Sequence, residues 1–284
     1  MKYSELYKNS IEELKSVGIL DAESDVRLLF YYLLDIDRGF LLSHGEDEVD
    51  PESVAQIVNA LSVRKKRVPL QHITRKQNFM GLEFNVTKDV LVPRFDTENL
   101  VEEAMLVTAD GDRVLDVCTG SGCILISLMQ YKNDIQGYGC DISEAALNIA
   151  KKNADELCKP NDNPVFIKSD LFSDVEIRDF DVIISNPPYI KSDVIGTLMP
   201  EVKDYDPIIA LDGGADGLDF YRRIVSDARS FLRSGGRLLV EIGHDQGEEV
   251  KELFLQNGYS DVKVKKDLGS NDRVVSGRYI CLTD

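Results

Sequence analysis

The sequence predicts an α/β protein, with a mostly parallel sheet between helices, an antiparallel edge to that sheet, and a small helical bundle ahead of it. Residues 1–74 show only helical periodicity, which predicts the bundle. After Gly111, short apolar runs alternate with helical stretches, a pattern typical of parallel sheets covered on both faces. The last two extended segments follow one another without a helix between them, and this predicts the antiparallel edge.

The predicted bundle consists of amphipathic helices, because apolar residues recur on one face of each. Asp21 is expected to cap the second helix, and Asp50-Pro51 is expected to start the third. A short helix is also expected near residues 40–43. The apolar stripes of the three main helices are Leu6, Tyr7, Ile11, Leu14 and Val17; Val26, Leu29, Phe30, Leu33 and Leu34; and Val54, Ile57, Val58 and Leu61.

Residues 75–90 are predicted to connect the bundle to a larger domain, residues 91–284. Apolar residues on both sides of Gly81 predict two short strands that form a β-hairpin. Asp96-Thr97-Glu98 is then expected to open a helix. The predicted strands of the larger domain are 113–117, 137–140, 165–168, 181–185, 237–242, 261–266 and 273–282, and its predicted helices are 123–131, 144–157, 218–233 and 247–256.

The composition predicts a soluble globular protein of the cytoplasm. The chain has 284 residues, of which 43% are hydrophobic and 29% charged, and it has no apolar run long enough to span a membrane and no segment like a signal peptide. A formal net charge of −17 disfavours a protein that grips phosphate backbones, and we interpret the most basic run, residues 64–67, as a solvated helix end. Five cysteines without a C-x-x-C pair and three histidines without metal-ligand spacing predict no metal site.

A glycine-rich loop between a strand and a helix predicts a nucleoside site. The stretch VLDVCTGSGCILISL places the loop 119–122 at this junction, where glycines let a ligand approach the backbone. The next strand ends at Asp141, and an acid in that place accepts hydrogen bonds from a ribose diol. A tight turn with a capping acid is the alternative. The patterns G-x-G-x-x-G and G-K-[ST] are both missing, so an adenosine without phosphates fits better, and S-adenosylmethionine is the predicted cofactor.

A second motif, Asn-Pro-Pro-Tyr at residues 186–189, ends the apolar strand DVIIS. Pro187 and Pro188 fix φ and remove backbone donors, so the Asn186 side-chain oxygen and the Pro187 carbonyl are presented as acceptors. Tyr189 adds a flat aromatic wall. A planar NH2 group held by these acceptors can become pyramidal and aim its lone pair at a sulfonium methyl without a strong general base. The motif therefore predicts methylation of an amide or aromatic amine, with an ordinary proline-rich turn as the alternative.

Together these motifs resemble the Asn-Pro-Pro-Tyr branch of the class I S-adenosylmethionine-dependent methyltransferases, whose fold is Rossmann-like. Within that branch they resemble the PrmC/HemK family of protein-glutamine N5-methyltransferases, and the resemblance covers nearly the whole chain. LVPRFDTENLV resembles LxPRPDTE, DVCTGSG resembles DLGTGSG, KSDLF resembles SDLF, ISNPPYI contains NPPYI, and YDPIIALDGGADGLDFYRRI resembles EPxxALxGGxDGLxxYRxI. The segments VEIGHDQG and DRVVSGRY match the family as well.

The resemblance implies methyl transfer from S-adenosylmethionine to the glutamine of the Gly-Gly-Gln motif in class-one peptide-chain release factors, with S-adenosylhomocysteine as the other product. Asn186, Pro187 and Tyr189 would be the catalytic residues, Pro188 would help bind the glutamine, and Arg94 would either shape the pocket mouth or anchor the hairpin to the sheet. The implied cofactor-binding residues are Cys118, Thr119, Gly120, Ser121, Gly122, Asp141, Asp170, Leu171 and Asn186.

Several alternatives remain open at this level. The helical domain is interpreted as a docking surface for the protein substrate, or else as a cover for the hydrophobic edge of the catalytic domain, and a monomer is expected. A ribosomal-protein glutamine is an alternative substrate. Adenine N6 of nucleic acid is another, against which the net charge and the lack of a basic recognition domain argue. A non-catalytic scaffold is disfavoured by the intact Asn186 and Asp141.

Four residues depart from the family pattern, one of them Asp206, which stands in place of the usual glutamate of its segment. Cys118 replaces a glycine in the nucleoside loop, and we expect its side chain to crowd the methionine moiety and weaken cofactor affinity. Arg75 stands where the family often has glycine, so the entry to the hairpin is expected to differ. Phe95 replaces the usual proline of the LxPRPDTE segment.

Overall fold

The computed structural model describes residues 1–160 and 162–281, which form two compact units. The first unit comprises Met1–Lys76 together with Met199–Tyr205, and the second comprises the other described residues. Across these ranges, no helix is long and apolar enough to cross a bilayer. The described His, Cys, Asp and Glu side chains likewise form no group that could hold a metal ion.

The first unit is helical. Leu14, Phe30 and Ile57, one from each predicted apolar stripe, are fully buried in its core. The Asp50 carboxylate accepts a hydrogen bond from the Ser53 N–H at 2.9 Å and so caps its helix as expected. Numbered in chain order over both units, its helices are α1 (Tyr3–Ser16), α2 (Ala22–Leu34), α3 (Arg38–His44), α4 (Pro51–Arg64), α5 (Leu70–Thr74) and the short α9 (Pro200–Lys203).

Three details of the helical prediction are wrong. Val17 is 43% exposed because α1 ends one residue before it, and Val58 is 54% exposed because it lies about 100° around α4 from the buried Ile57. Asp21 does precede α2, but its side chain accepts no capping hydrogen bond from the described residues. Periodicity therefore located each helix but not the limits of its buried face.

The basic run 64–67 is also not the solvated helix end that the sequence predicted. The Arg64 guanidinium is buried and pairs with two carboxylates, Asp25 Oδ2 at 2.7 Å and Glu201 Oε1 at 3.0 Å. Arg67 Nε lies 2.9 Å from the same Glu201 oxygen. We call these four residues the Arg64 cluster. The prediction failed because Glu201 comes from α9, far along the chain from α4.

The predicted hairpin is present as β1 (Lys76–Phe79) and β2 (Leu82–Asn85). Arg75 ends α5 with a φ of +63°, in the left-handed region that favours glycine. Arginine thus adopts the backbone conformation that suits the glycine it replaces, and the first strand begins at the next residue.

The second unit is built on a seven-stranded sheet of order β5-β4-β3-β6-β7-β9-β8. Neighbours from β5 to β7 are parallel, whereas β9 is antiparallel to both β7 and β8, so the predicted fold class is confirmed. Because β3 lies between β4 and β6, the strand order reverses there, and α/β sheets bind ligands at the carboxyl ends of such strands. The strands are β3 (Arg113–Val117), β4 (Gln136–Asp141), β5 (Val165–Lys168), β6 (Phe180–Ser185), β7 (Leu232–Glu241), β8 (Tyr259–Lys266) and β9 (Asp272–Tyr279).

Five longer helices accompany the sheet: α6 (Glu98–Val107), α7 (Cys123–Tyr131), α8 (Glu144–Leu157), α10 (Asp219–Asp227) and α11 (Gly247–Gln256). The predicted helix 218–233 is too long, since α10 gives way to a 3₁₀ turn and β7 begins at Leu232, beside β6. The predicted last strand, 273–282, ends earlier at Tyr279, and its Leu282 lies outside the described residues.

Candidate active site

A cavity of about 280 Å³ lies at the carboxyl ends of β3, β4 and β6. Its walls come from the loops after these strands and from residues of segments 89–97 and 207–223. Of the residues predicted to bind the cofactor or the glutamine, the cavity is lined by Arg94, Cys118, Thr119, Ser121, Asp141, Asp170, Leu171, Asn186 and Pro188. Gly120, Gly122, Pro187 and Tyr189 adjoin these in the chain without being among the lining residues.

The glycine loop follows β3 and starts α7, as its sequence predicts. Gly122 has a φ of +79°, and a Cβ added there would lie 2.9 Å from Ile126 Cδ1 and 3.2 Å from Ala150 Cβ. Glycine is therefore required at this position both by conformation and by the close packing of α7 on α8. Gly120 also has a positive φ, but a Cβ there would meet no heavy atom within 4 Å, so open space lies beside the loop.

Asp116, in the strand before this loop, holds the loop by a hydrogen bond. It is fully buried in β3, and its Oδ2 accepts a hydrogen bond from the Thr119 hydroxyl at 2.7 Å. Burial raises the pKa of Asp116 to about 7, and Thr119 opposes that rise. The backbone N–H of Leu125, in the first turn of α7, also lowers the pKa of this carboxyl. Asp116 is not among the residues that line the cavity, so it acts on the site through Thr119.

Asp141 is held at the end of β4 by two backbone donors. The Gly120 N–H donates to its Oδ2 at 2.9 Å, and the Ser143 N–H donates to its Oδ1 at 2.8 Å. Burial raises the pKa of this carboxyl, and the backbone hydrogen bonds lower it. Each carboxylate oxygen retains a second lone pair, so Asp141 can still accept from a diol in the cavity.

Cys118 occupies a strained backbone position. Its φ of +61° lies in the left-handed region, which costs a residue with a Cβ about 1–2 kcal/mol. Burial raises the pKa of its thiol well above the usual value, so the side chain is a neutral thiol. The structure therefore gives a physical reason for glycine at this place in the loop.

Replacing Cys118 should separate backbone strain from crowding. We expect Cys118→Gly to raise the free energy of unfolding by about 1 kcal/mol, because glycine adopts this φ without strain. Cys118→Ala keeps the Cβ and the strain but removes the sulfur, so it should tighten S-adenosylmethionine binding without that gain in stability. Urea denaturation and isothermal titration calorimetry measure the two effects. Unchanged stability in Cys118→Gly would contradict the strain, and unchanged affinity in both variants would contradict the crowding.

The Asn-Pro-Pro-Tyr turn is locked in place by the chain segment that carries the Asp-Gly-Gly motif. The Ile190 N–H donates to the Leu211 carbonyl at 2.9 Å, and the Gly213 N–H donates back to the Ile190 carbonyl at 2.8 Å. A Cβ at Gly213 would lie 2.7 Å from Tyr189 Cα, so only glycine fits there. These contacts hold the turn in one conformation beside the cavity.

Two side chains of the turn form hydrogen bonds with polar residues outside it. Asn186 Nδ2 donates to the Thr97 hydroxyl oxygen at 3.2 Å, and the Tyr189 hydroxyl donates to Glu241 Oε1 at 3.4 Å. Burial raises the pKa of the Tyr189 hydroxyl, so this group is a donor at neutral pH. Thr97 and Glu241 are both 2% exposed.

Arg94, Asp170 and Leu171 complete the predicted set. Arg94 Nη2 forms an ion pair with the buried Asp206 Oδ2 at 2.5 Å, while the arginine side chain remains 43% exposed at the cavity wall. Asp170 Oδ1 accepts from Arg223 Nη2 at 2.9 Å. Leu171 has a φ of +53° in the loop after β5. Arg94 therefore both lines the cavity and ties its segment to the 206–212 loop.

Sequence reasoning missed Thr97, Glu241 and the supporting role of Asp116 as members of the site. A signal existed for Glu241 and Asp116, since each is an acid in an otherwise apolar strand. A buried charge in such a strand requires a partner, which points to a function or a network. The sequence predicts Thr97 only as part of the start of a helix. Its contact with Asn186 joins two segments that are far apart in the chain, so no local signal indicates it.

Two family models match the chain. A PrmC N-terminal domain model matches residues 5–74, and a methyltransferase small domain model matches residues 94–268. The chain is 42% identical to the release factor glutamine methyltransferase of Clostridium acetobutylicum over 88% of this chain and 89% of that protein. It is 39% identical to the protein of the same name from Geobacter sulfurreducens, over 93% and 92% of the two chains.

Among solved structures, a methyltransferase from Pyrococcus furiosus has a similar fold. The TM-score is 0.54 at 20% sequence identity, over 82% of this chain and 100% of that chain. At this identity the likeness concerns the fold alone.

Proposed function

The chain belongs to the release factor glutamine methyltransferase family and is an S-adenosylmethionine-dependent protein-glutamine methyltransferase; from this premise we propose that it methylates the side-chain amide nitrogen, N5, of the glutamine in the Gly-Gly-Gln motif of class-one peptide-chain release factors. The observation that carries this proposal is the Asn-Pro-Pro-Tyr turn at a cavity that Asp141 also lines. The turn suits a planar NH2 group, and Asp141 suits a ribose.

The residues present fit S-adenosylmethionine. Open space beside Gly120 and a carboxylate at the end of β4 are features that a nucleoside would use. When bound, S-adenosylmethionine supplies an electrophilic methyl group on a sulfonium. We propose that it is held by Cys118, Thr119, Gly120, Ser121, Gly122, Asp141, Asp170, Leu171 and Asn186.

The turn would activate a weak nucleophile by holding it. An amide nitrogen is a poor nucleophile because its lone pair is delocalised into the carbonyl. We propose that Asn186 Oδ1 and the Pro187 carbonyl each accept one N–H of the substrate amide, while the Tyr189 ring supports its plane. Both acceptors favour a pyramidal nitrogen and the positive charge that develops on it, and the extra proton then leaves to water.

The charge of the protein supports a protein substrate over a nucleic acid. With a net charge of −17, the chain as a whole would repel phosphate backbones. We propose that the helical unit serves as the docking surface for the release factor, and that the enzyme works as a monomer in the cytoplasm.

The test is a methyl-transfer assay with labelled S-adenosylmethionine. The purified enzyme is offered a class-one release factor, the same factor with Gln→Ala in its Gly-Gly-Gln motif, ribosomal proteins, and duplex DNA. We expect one methyl group on that glutamine, located by mass spectrometry, and none on the alanine control. A methyl on a ribosomal protein or on DNA, with none on the release factor, would contradict the proposal.

A further inference from the structure

A buried side-chain amide, that of Gln246, lies between the Asn-Pro-Pro-Tyr turn and the start of α10. Gln246 is the residue before α11, is 5% exposed, and is not among the residues that line the cavity. It belongs to the segment VEIGHDQG, which takes no part in the mechanism described so far. Because a buried polar group needs hydrogen-bond partners, the partners of this amide indicate what it does.

Both ends of the amide have backbone partners. Gln246 Nε2 donates to the carbonyl of Tyr189, the last residue of the turn, at 3.1 Å. The same nitrogen donates to the Gly217 carbonyl at 3.1 Å, two residues before α10 begins at Asp219. Gln246 Oε1 accepts from the Gly243 N–H at 2.9 Å. One side chain therefore joins three segments that are separate in the chain, those after β6, before α10 and after β7.

The chemistry of these partners fixes the orientation of the amide. A backbone carbonyl can only accept, so the NH2 end must face Tyr189 and Gly217. A backbone N–H can only donate, so the carbonyl end must face Gly243. Rotation of the amide by 180° would set its oxygen against two carbonyl oxygens and its NH2 group against an N–H. Only a side chain with two donors at one end and an acceptor at the other satisfies all three contacts.

Glycines allow the backbone to approach the amide this closely. Gly217 has a φ of +76°, and a Cβ added there would lie 2.8 Å from Gln246 Nε2 and 2.5 Å from the Tyr189 carbonyl oxygen. A Cβ added at Gly243 would lie 2.9 Å from Gln246 Oε1. A side chain at either glycine would displace the amide, so the two positions favour glycine because of the contact with Gln246.

The segment on the far side of the amide is anchored in the core. Tyr221 and Ile224 of α10 are fully buried. The turn lies outside the regular strands, and the contacts of Ile190 with residues 211–213 hold it from one side. Gln246 holds it from a second side, one residue earlier and on the turn itself. Its donors therefore fix the end of the turn against the start of a buried helix.

We propose that Gln246 is a positioning residue for methyl transfer: its NH2 group ties the Tyr189 carbonyl to the start of α10 and so keeps the Tyr189 ring and the acceptors of Asn186 and Pro187 in the geometry that the substrate amide needs. The inference rests on the proposed function, since it concerns how the turn holds a substrate NH2 group. Gln246 does not line the cavity, so it acts through the turn. A displacement of about 1 Å at a reacting centre costs about a hundredfold in rate.

The test compares two variants whose side chains are about as long as glutamine. Gln246→Met loses all three hydrogen bonds, whereas Gln246→Glu keeps an acceptor for the Gly243 N–H and loses the NH2 donors. At pH 8 we expect kcat for release-factor methylation to fall about tenfold to a hundredfold in both variants. The KM for the release factor and the dissociation constant of S-adenosylmethionine should stay within about threefold of wild type, because the cavity walls are unchanged.

Hydrogen exchange reports the position of the turn independently of activity. The Ile190 N–H, bonded to the Leu211 carbonyl at 2.9 Å, directly follows the turn, whereas Ile183 lies fully buried within β6. In both variants, exchange at Ile190 should accelerate at least about tenfold more than exchange at Ile183. A merely structural loss would accelerate both amides alike, since both would then exchange through unfolding of the whole domain.

Gln77→Met is the matched control. Gln77 is another buried glutamine, and its Nε2 donates to the Asn78 carbonyl at 3.0 Å within the hairpin. This variant removes a buried amide that has no contact with the turn. It should leave both kcat and the exchange at Ile190 within about twofold of wild type.

Failure of the proposed function would be seen separately, as a wild-type enzyme that does not methylate the release factor. With an active wild type, a Gln246→Met variant that keeps kcat within twofold would overturn the inference. A fast Gln246→Glu beside a slow Gln246→Met would also overturn it, since the important contact would then be the one to Gly243. So would equal acceleration of exchange at Ile190 and Ile183. If Gln246→Met does not fold, Gln246→Glu alone decides the question through kcat and exchange.

Discussion

Asn186→Ala is expected to lower the rate of methyl transfer to the release factor at least about a hundredfold, while the fold and most of the cofactor affinity are retained. The variant removes the side-chain acceptor that we assign to one substrate N–H. It also ends the hydrogen bond of 3.2 Å to Thr97, but it leaves the backbone contacts that lock the turn. The loss should appear in kcat more than in KM, because the acceptor matters most as positive charge develops on the nitrogen.

The experiment is a single-turnover assay with saturating release factor and labelled cofactor, beside calorimetry of cofactor binding. Asn133→Ala is the matched control. Asn133 precedes β4 at the opposite end of the sheet, and its side chain bonds Asp110 on the surface. It should react at the wild-type rate. An Asn186→Ala variant as fast as that control would contradict the role of the turn in holding the amide.

The parts of the fold that the sequence predicted well are those with local signals. The predicted limits of α7 and α8 match the structure, because Gly122 precedes the first with a φ of +79° and the Ser143 hydroxyl caps the second by accepting from the Ala146 N–H at 3.2 Å. The glycine loop and the Asn-Pro-Pro-Tyr turn were likewise found where predicted, since glycine permits the positive φ that the loop needs and proline fixes its own φ.

The parts that the sequence could not predict depend on contacts between distant segments. The helical periodicity of the sequence continues past Asp227. From Leu232 onward, however, the chain is a strand, β7, that pairs with β6. The hydrogen bond from Asn186 to Thr97 joins a strand end to a helix start, and neither segment of the sequence indicates the other. The same is true of the Arg64 cluster, where a basic helix end meets Glu201 of α9.

That cluster leads to the largest expected change in stability. The side chains of Arg64, Asp25 and Glu201 are 9%, 10% and 14% exposed, and Arg64 also donates to the Val68 carbonyl at 3.3 Å. Arg64→Ala should therefore lower the free energy of unfolding of the helical unit by about 3–5 kcal/mol, because it leaves the buried Asp25 carboxylate without its cation and Glu201 with Arg67 alone. Native-state hydrogen exchange of the α2 and α4 amides measures this unit separately from the rest of the chain.

Matched variants distinguish the buried cluster from surface charge. Lys65→Ala removes the next cation, whose ion pair with Glu13 is well exposed, and should cost at most about 1 kcal/mol. Replacing Arg64 and Asp25 together by apolar residues, as Arg64→Met and Asp25→Leu, should recover part of the loss, since it removes one stranded carboxylate along with the cation. Equal exchange rates in Arg64→Ala and Lys65→Ala would show that the cluster adds nothing beyond surface charge.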